Sequence, residues 1–471
     1  MSESPINSSS SSTKIRTISE NNAEDSAAPS SSFQRVPSKA SSNILVLNYD
    51  CLERIFSLLS LEDQLNFSRS NREIESMFRN YAQWKYKHIT SFITNSLEEP
   101  DLEYLVEQVN EHVISYESSL DPSSEGQLRL LGMHCPMLRR LRMNFMGEPR
   151  WEDLNQLKNL NTLQTRVCFK RLGVYEKFFL NLSENLPCLR KLVLEAPDYN
   201  GKGLQVLEKL ENLEIDYLYQ LDAKYLIDCF IMMKNLRFLK IGMWPENLSN
   251  ENLSAIVANC RNLETLEFTD QDLPDYVAFE RVCELSRLKH IFMTYPRLKR
   301  PAFIEGLVRK TGTPLESLIL FGSNLCKEQI EHISDITSLR ELWLGSKEVD
   351  FSVEGFMKLK SLEYLHLHMR GITNKHLLEL VLGCPRLRVL NVISCPNITS
   401  DFISLLKSSL KKLKETNWDK ISIYLKTSSV NWKGNSSFKI ENIHIIDGHL
   451  KKVPILIEKE FNIYYQLFRL R

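Results

Sequence analysis

Leu315-Glu316-Ser317-Leu318-Ile319-Leu320 and, 24 residues on (315 to 339), Leu339-Arg340-Glu341-Leu342-Trp343-Leu344 are one pattern written twice: leucine at the first, fourth and sixth places. Reading outward, the unit continues toward the N-terminus as Leu288/Ile291/Met293, Leu263/Leu266/Phe268, Leu236/Leu239/Ile241, Leu210/Leu213/Ile215, Leu189/Leu192/Leu194 and Leu138/Leu141/Met143. In the other direction it runs through Leu362/Leu365/Leu367 and Leu387/Leu390/Val392, and a last copy is Ile440/Ile443/Ile445. Weaker copies start at Leu160 and Leu410. From Leu138 to Ile440 is 302 residues over 12 steps, about 25 per step, a period that means stacked repeats rather than separate domains. Length alone, 471 residues, suggests about three globular units. The repeat overrides that division.

Between copies, apolar residues return at helical spacing, as at Leu253, Ile256, Val257 and Cys260, and at Leu377, Leu378, Val381 and Cys384. Each unit is therefore a short strand followed by a helix, and the fold class is α/β. The expected form is a leucine-rich-repeat solenoid, a horseshoe with short parallel strands on the concave face and helices on the convex face. Side chains alternate along a strand, so the positions between the leucines point to the concave face. Those positions are polar early (Arg140, Arg142, Asn144, Lys191, Glu195, Glu214) and apolar late. Phe292, Ile319, Phe321, Trp343, Tyr364, Val389 and Ile393, with His366 among them, fall on adjacent strands about 4.8 Å apart, a candidate substrate-binding patch. The competing occupant is the chain's own C-terminal segment, which carries Ile455, Leu456, Ile457, Phe461, Ile463, Tyr464, Tyr465, Leu467 and Phe468.

Residues 1–43 hold 15 serines and few large apolar side chains, so they are expected to stay disordered, with Arg35–Ser38 a candidate phosphorylation stretch. Residues 44–90 change character. Leu52, Ile55, Phe56 and Leu59 make one apolar stripe on a short helix that Asp50 is placed to cap. Ser60-Leu61-Glu62-Asp63 has the form of a capping box, and Ile74, Met77 and Phe78 suggest a third helix. A unit this small is marginal alone and should lean on something else. Connecting helices are expected over 91–136, with an irregular first strand at His112–Tyr116, repeats over 137–446, and a cap or tail over 447–471.

Lys+Arg and Asp+Glu are both 59, so no broad charge favours nucleic acid or an anionic membrane. No run of 18 apolar residues and no secretory leader is seen, which makes cytoplasm or nucleus the expected location. Ten cysteines include no Cys-x-x-Cys pair, and Cys135, Cys188, Cys260, Cys384 and Cys395 read as small buried fillers near helix ends and turns. His366 and His368 share a strand face without a third ligand beside them, and read as surface histidines. No metal, no cofactor and no catalytic group is expected.

Leu47-Asn48-Tyr49-Asp50-Cys51-Leu52-Glu53-Arg54-Ile55-Phe56-Ser57-Leu58-Leu59-Ser60-Leu61-Glu62-Asp63-Gln64-Leu65 resembles the F-box, departing from it at Asn48, Asn71 and Ile74. An F-box ahead of leucine-rich repeats is similar to the substrate receptors of cullin-based SCF ubiquitin ligases. That resemblance implies a non-catalytic subunit in ubiquitin-dependent protein catabolism. Its partners would be the cullin-linking adaptor, the cullin and a client protein. Carried over by position, the adaptor contacts would be Leu47, Leu52, Ile55, Phe56 and Leu59. The alternative is an interaction scaffold or inhibitor with no ubiquitin role.

Overall fold

A strand that buries every second side chain satisfies its backbone only beside another strand of the same kind, and the repeat supplies one every 20 to 30 residues or so. The computed structural model describes residues 44–118, 124–217, 219–242, 249–269, 277–294, 296, 298–346, 353–410, 420–426, 437–440, 442–447 and 455–457. The serine-rich 1–43 segment with Arg35–Ser38, and Phe461 to Phe468, lie outside them. The chain divides into two units, residues 1–48 and 49–471. In the first, Ile44–Val46 forms a 3-10 turn.

The second unit opens with α1 (Tyr49–Leu58), α2 (Leu61–Arg69) and α3 (Arg72–Lys85), followed by α4 (Ser91–Ser96) and α5 (Glu99–Val109). Its strands are β1 (His88–Ile89), β2 (Ser115–Glu117), β3 (Arg140–Arg142), β4 (Thr162–Arg166), β5 (Lys191–Glu195), β6 (Asn212–Asp216), β7 (Phe238–Gly242) and β8 (Thr265–Thr269). They continue as β9 (His290–Thr294), β10 (Ser317–Phe321), β11 (Glu341–Ser346), β12 (Tyr364–Met369), β13 (Val389–Ile393), β14 (Ile421–Lys426), β15 (Ser437–Ile440) and β16 (Ile443–Asp447). All join one sheet in chain order, except that β16 pairs parallel to β14 and β15 closes the edge antiparallel to β16.

The register makes the core. Leu192, Leu213, Leu239, Leu266, Ile291, Leu318, Leu342, Leu365 and Leu390 are direct partners from strand to strand, and all are buried. Most connections are α-helices. Three units carry 3-10 helices instead: Leu204–Val206, Val277–Glu284 and Glu354–Lys358. Among the described residues no helix is long and apolar enough to cross a membrane.

Several expectations need correction. The sheet starts at β1, directly after α3 and ahead of the first strand expected at His112–Tyr116, where β2 lies instead. Leu410 ends the helix Asp401–Leu410 and starts no strand; the next strand is β14, where Ile423 faces Leu390. Ile440 belongs to the antiparallel β15, while Ile443 and Ile445 hold the buried places on β16. Asp50 lies inside the first turn of α1 rather than ahead of it. Cys188 is exposed, unlike Cys135, Cys260, Cys384 and Cys395. Burial pushes the thiols of Cys135 and Cys260 up to about 12 and that of Cys384 up to about 11, so these are inert fillers.

Candidate functional site

Two regions bear on function, and each is built by local rules. In the helical region, Ser60, two residues after α1, caps α2: its Oγ accepts from the Asp63 N–H at 3.2 Å and donates to the Asp63 carboxylate at 2.7 Å. Asp63 thus meets the hydroxyl rather than completing the box on the Ser60 backbone. Gln64 is buried and closes the α1–α2 turn, donating Nε2 to the carbonyls of Phe56 (2.8 Å) and Leu59 (3.0 Å) while Tyr86 donates to its Oε1 (2.7 Å). Asn71, one of the departures, caps α3 by accepting from the Glu73 N–H at 2.7 Å. Ile74, another, is buried.

The unit leans on its own chain. Arg79 donates to Gln108 on α5 at 3.0 Å and Gln108 donates to Glu75 at 3.2 Å. Ser68 shares a hydrogen bond with Tyr104, over which the Arg69 guanidinium lies 4.4 Å from the ring centre.

Of the residues expected to meet the adaptor, Leu52 and Phe56 are fully buried. Phe56 packs among Phe67, Phe78 and Tyr81 at centroid distances of 5.5, 5.3 and 5.4 Å. Ile55 and Leu59 are half-buried. Leu47 belongs to the preceding segment and is 38% exposed. The side chain missed from sequence is Leu58, 71% exposed. Cys51, Ile55 and Leu58 stand at i, i+4 and i+7, so the apolar stripe left open on α1 is rotated away from Leu52 and Phe56.

In the sheet region, the positions alternating with the leucines form a second face. Its central row over β9–β13 is Phe292, Ile319, Trp343, His366 and Asn391, each the register partner of the next. Phe321 meets Trp343 edge-on at 4.9 Å, and Trp343 stacks on His366 at 5.0 Å and 20°. Asn391 Nδ2 is 3.2 Å from His366 Nδ1, and His366 Nε2 is 3.6 Å from Glu341 Oε1.

The expected patch is assembled, but it is not open. Phe292, Ile319, Trp343, Tyr364 and His366 are each at most 5% exposed, while Phe321 and Val389 are half-buried. Ile393 lies on β13, with its side chain outside the described residues. His366 is therefore a buried stacking partner, not a surface histidine; His368 is exposed. Among the described residues no group of three or more side chains is arranged to hold a metal ion.

On this face lies the C-terminal segment. The backbone N–H of Ile455 donates to Glu341 Oε1 at 2.7 Å and that of Leu456 to Glu341 Oε2 at 2.8 Å. Residues 455–457 are helical, and Leu456 and Ile457 are buried. Glu341 itself is fully buried.

The early strands differ. Arg140, Arg142 and Arg166 are exposed and Lys191, Val193 and Glu195 half-buried. Further along, Lys191 and Lys240 approach Glu214 at 2.9 and 4.0 Å. Burial works against the Lys240 ammonium, but Glu214, Glu267, Asp216 and Glu195 outweigh it and push it above the usual lysine range. Asp216 has room beside Lys240 because Gly242 carries no side chain; a Cβ there would sit 2.6 Å from Asp216 Oδ1.

A feature missed from sequence runs along the strand starts. The residues just before β5 to β13 are Arg190, Glu211, Arg237, Glu264, Lys289, Glu316, Arg340, Glu363 and Arg388, alternating in sign. Arg237 and Lys289 reach Glu264 at 2.7 and 2.9 Å, and Arg340 reaches Glu316 and Glu363 at 2.8 Å each. The signal was available as one fixed place per repeat.

Residues 44–86 match the family model of the F-box domain. The chain thus carries an F-box domain ahead of a leucine-rich-repeat sheet. No curated protein matches it in sequence. Among solved structures it is similar to a chain of the Rad7 and Elc1 complex of yeast, at 15% identity and a TM-score of 0.42, covering 83% of this chain and 98% of that one. A leucine-rich-repeat protein of Leptospira interrogans is similar at 15% identity and a TM-score of 0.33, covering 69% and 86%.

Proposed function

We propose that this chain is the non-catalytic substrate-recognition subunit of an SCF-type ubiquitin ligase. The F-box holds the cullin-linking adaptor, and the second face of the repeat sheet holds a client protein. The observation that carries this reading is the division of labour on α1. Phe56 and Leu52 close the domain's own core, leaving Ile55 and the 71% exposed Leu58 as a separate apolar stripe, with the half-buried Leu59 just beyond the end of α1.

Magnitudes fit a docking helix that is not sufficient alone. Three such side chains contribute at most about 1.5–3 kcal/mol each when fully buried. Association costs about 4–15 kcal/mol, so α1 supplies the centre of the contact and further surface of the domain must add to it. Leu47 remains in the proposed set; Leu52 and Phe56 act from within by holding α1 in place. A continuous leucine core behind the client face favours a fixed spacing between client and adaptor, which proximity-driven transfer needs.

The test is co-purification from cells. Ile55→Asp with Leu58→Asp should remove at least about nine-tenths of the adaptor and cullin recovered with the chain, while amide protection in β5–β8 stays at the wild-type level. Undiminished recovery overturns the assignment. Phe56→Ala is no substitute, because it opens a cavity in the aromatic cluster.

A further inference from the structure

The client face at Glu341 on β11 already has an occupant, and the occupant is 114 residues away in sequence. Nothing local brings residues 455–457 to Glu341. In the first-position row from β7 to β13 (Phe238, Thr265, His290, Ser317, Glu341, Tyr364, Val389), Glu341 is the one carboxylate. Each of its oxygens accepts one of two successive backbone N–H groups, at 2.7 and 2.8 Å. Such charge-assisted bonds are what a buried carboxylate requires. Leu456 and Ile457 are buried with it.

We infer that residues 455–457 are a built-in plug of the client face, clamped by Glu341, and that a client enters by displacing them with a segment of the same chemistry: two adjacent free N–H groups followed by aliphatic side chains. This rests on the reading of that face as the client surface. The clamp recognises backbone, so it imposes no charge or sequence of its own, and specificity falls to the row around Trp343. The contact is also of a reversible kind. When the plug leaves, Glu341 stands on an opened face where water takes over its two bonds, whereas loss of an inward leucine leaves a void in the sheet core.

Two measurements on the full-length chain test the plug. In hydrogen exchange, the Ile455 and Leu456 amides should be protected in the wild type and exchange at least tenfold faster in Glu341→Gln, with β5 amides unchanged. In the second, a fluorescent synthetic peptide of residues 448–471 is added to the chain carrying Leu456→Asp and Ile457→Asp. It should bind at least tenfold more tightly there than to the wild type, whose face is occupied. Equal amide exchange in Glu341→Gln and wild type overturns the clamp, and equal peptide affinity overturns the plug. Should the double variant not fold, the Glu341→Gln exchange decides. Neither measurement includes the adaptor, so failure of the ligase assignment appears only as lost co-purification and stays distinguishable.

Discussion

Arg142 and Trp343 hold the same place in their strands, second between two core residues, yet one is exposed and the other buried. Around Arg142 the face is polar: its register partners are Glu117 and Gln164, and Arg140 beside it is exposed as well. Around Trp343 it is a stack, with Phe321 on one side, His366 on the other and a distant segment fixed to Glu341 beside it. The leucines behind the two are register-matched in the same way. The repeat therefore dictates the scaffold and leaves the second face free to be set strand by strand. Being closed or open is a property of those few side chains and of what they retain, not of the solenoid.

The comparison breaks first at Trp343. Replacing a buried Trp by Ala removes its stack and leaves a void, a loss of about 3–5 kcal/mol. Arg142→Ala, at an exposed place, should stay within about 0.5 kcal/mol. Urea denaturation of the full chain followed by circular dichroism checks both. A cost near zero for Trp343→Ala would mean that the late face is as open as the early one.

How much of this was readable follows from the range of each signal. The inward leucines were legible because a strand writes its burial at every second residue, and the register then follows from the period. Leu410 misled because an amphipathic helix also spaces leucines three and four apart, so the end of a helix imitates the start of a unit. On α1 the same spacing admits two neighbouring stripes, and only packing decides that Leu52 and Phe56 turn inward while Leu58 turns out. The apolar row from Phe292 to His366 was legible as a row. Its closure was not, since a contact across 114 residues leaves no period. The alternating charges before β5 to β13 are periodic too, but a charged residue beside a strand reads singly as solvent-facing.

That charged edge begins at β5, past Arg142, and runs by the closed face to β13. Arg340 bridges Glu316 and Glu363 at 2.8 Å each, with its side chain 41% exposed. Solvent screening limits such pairs to about 0.2–1 kcal/mol each. Arg340→Met should therefore lower stability by roughly 0.5–1.5 kcal/mol at low salt, well below the Trp343 effect. In about 1 M salt, where the screening length falls to about 3 Å, the difference from wild type should largely vanish. A loss that persists in high salt would assign Arg340 a packing role instead.

The smallest effect is the most specific to the edge. Burial raises the Glu264 carboxyl, but hydrogen bonds from Arg237 and Lys289 outweigh it and hold the group below the usual glutamate range. A carboxylate with a depressed folded-state value binds its proton more weakly folded than unfolded. Its contribution is complete above the unfolded value, near 4.5, and fades as pH falls from there through the folded value. Glu264→Gln cannot titrate, so the melting-temperature gap between wild type and variant should be level above about pH 6 and narrow steadily on acidification below about pH 4.5. A gap that stays constant into acid would show that the two cations do not hold the proton off Glu264, and that the alternating edge acts by shape rather than by charge.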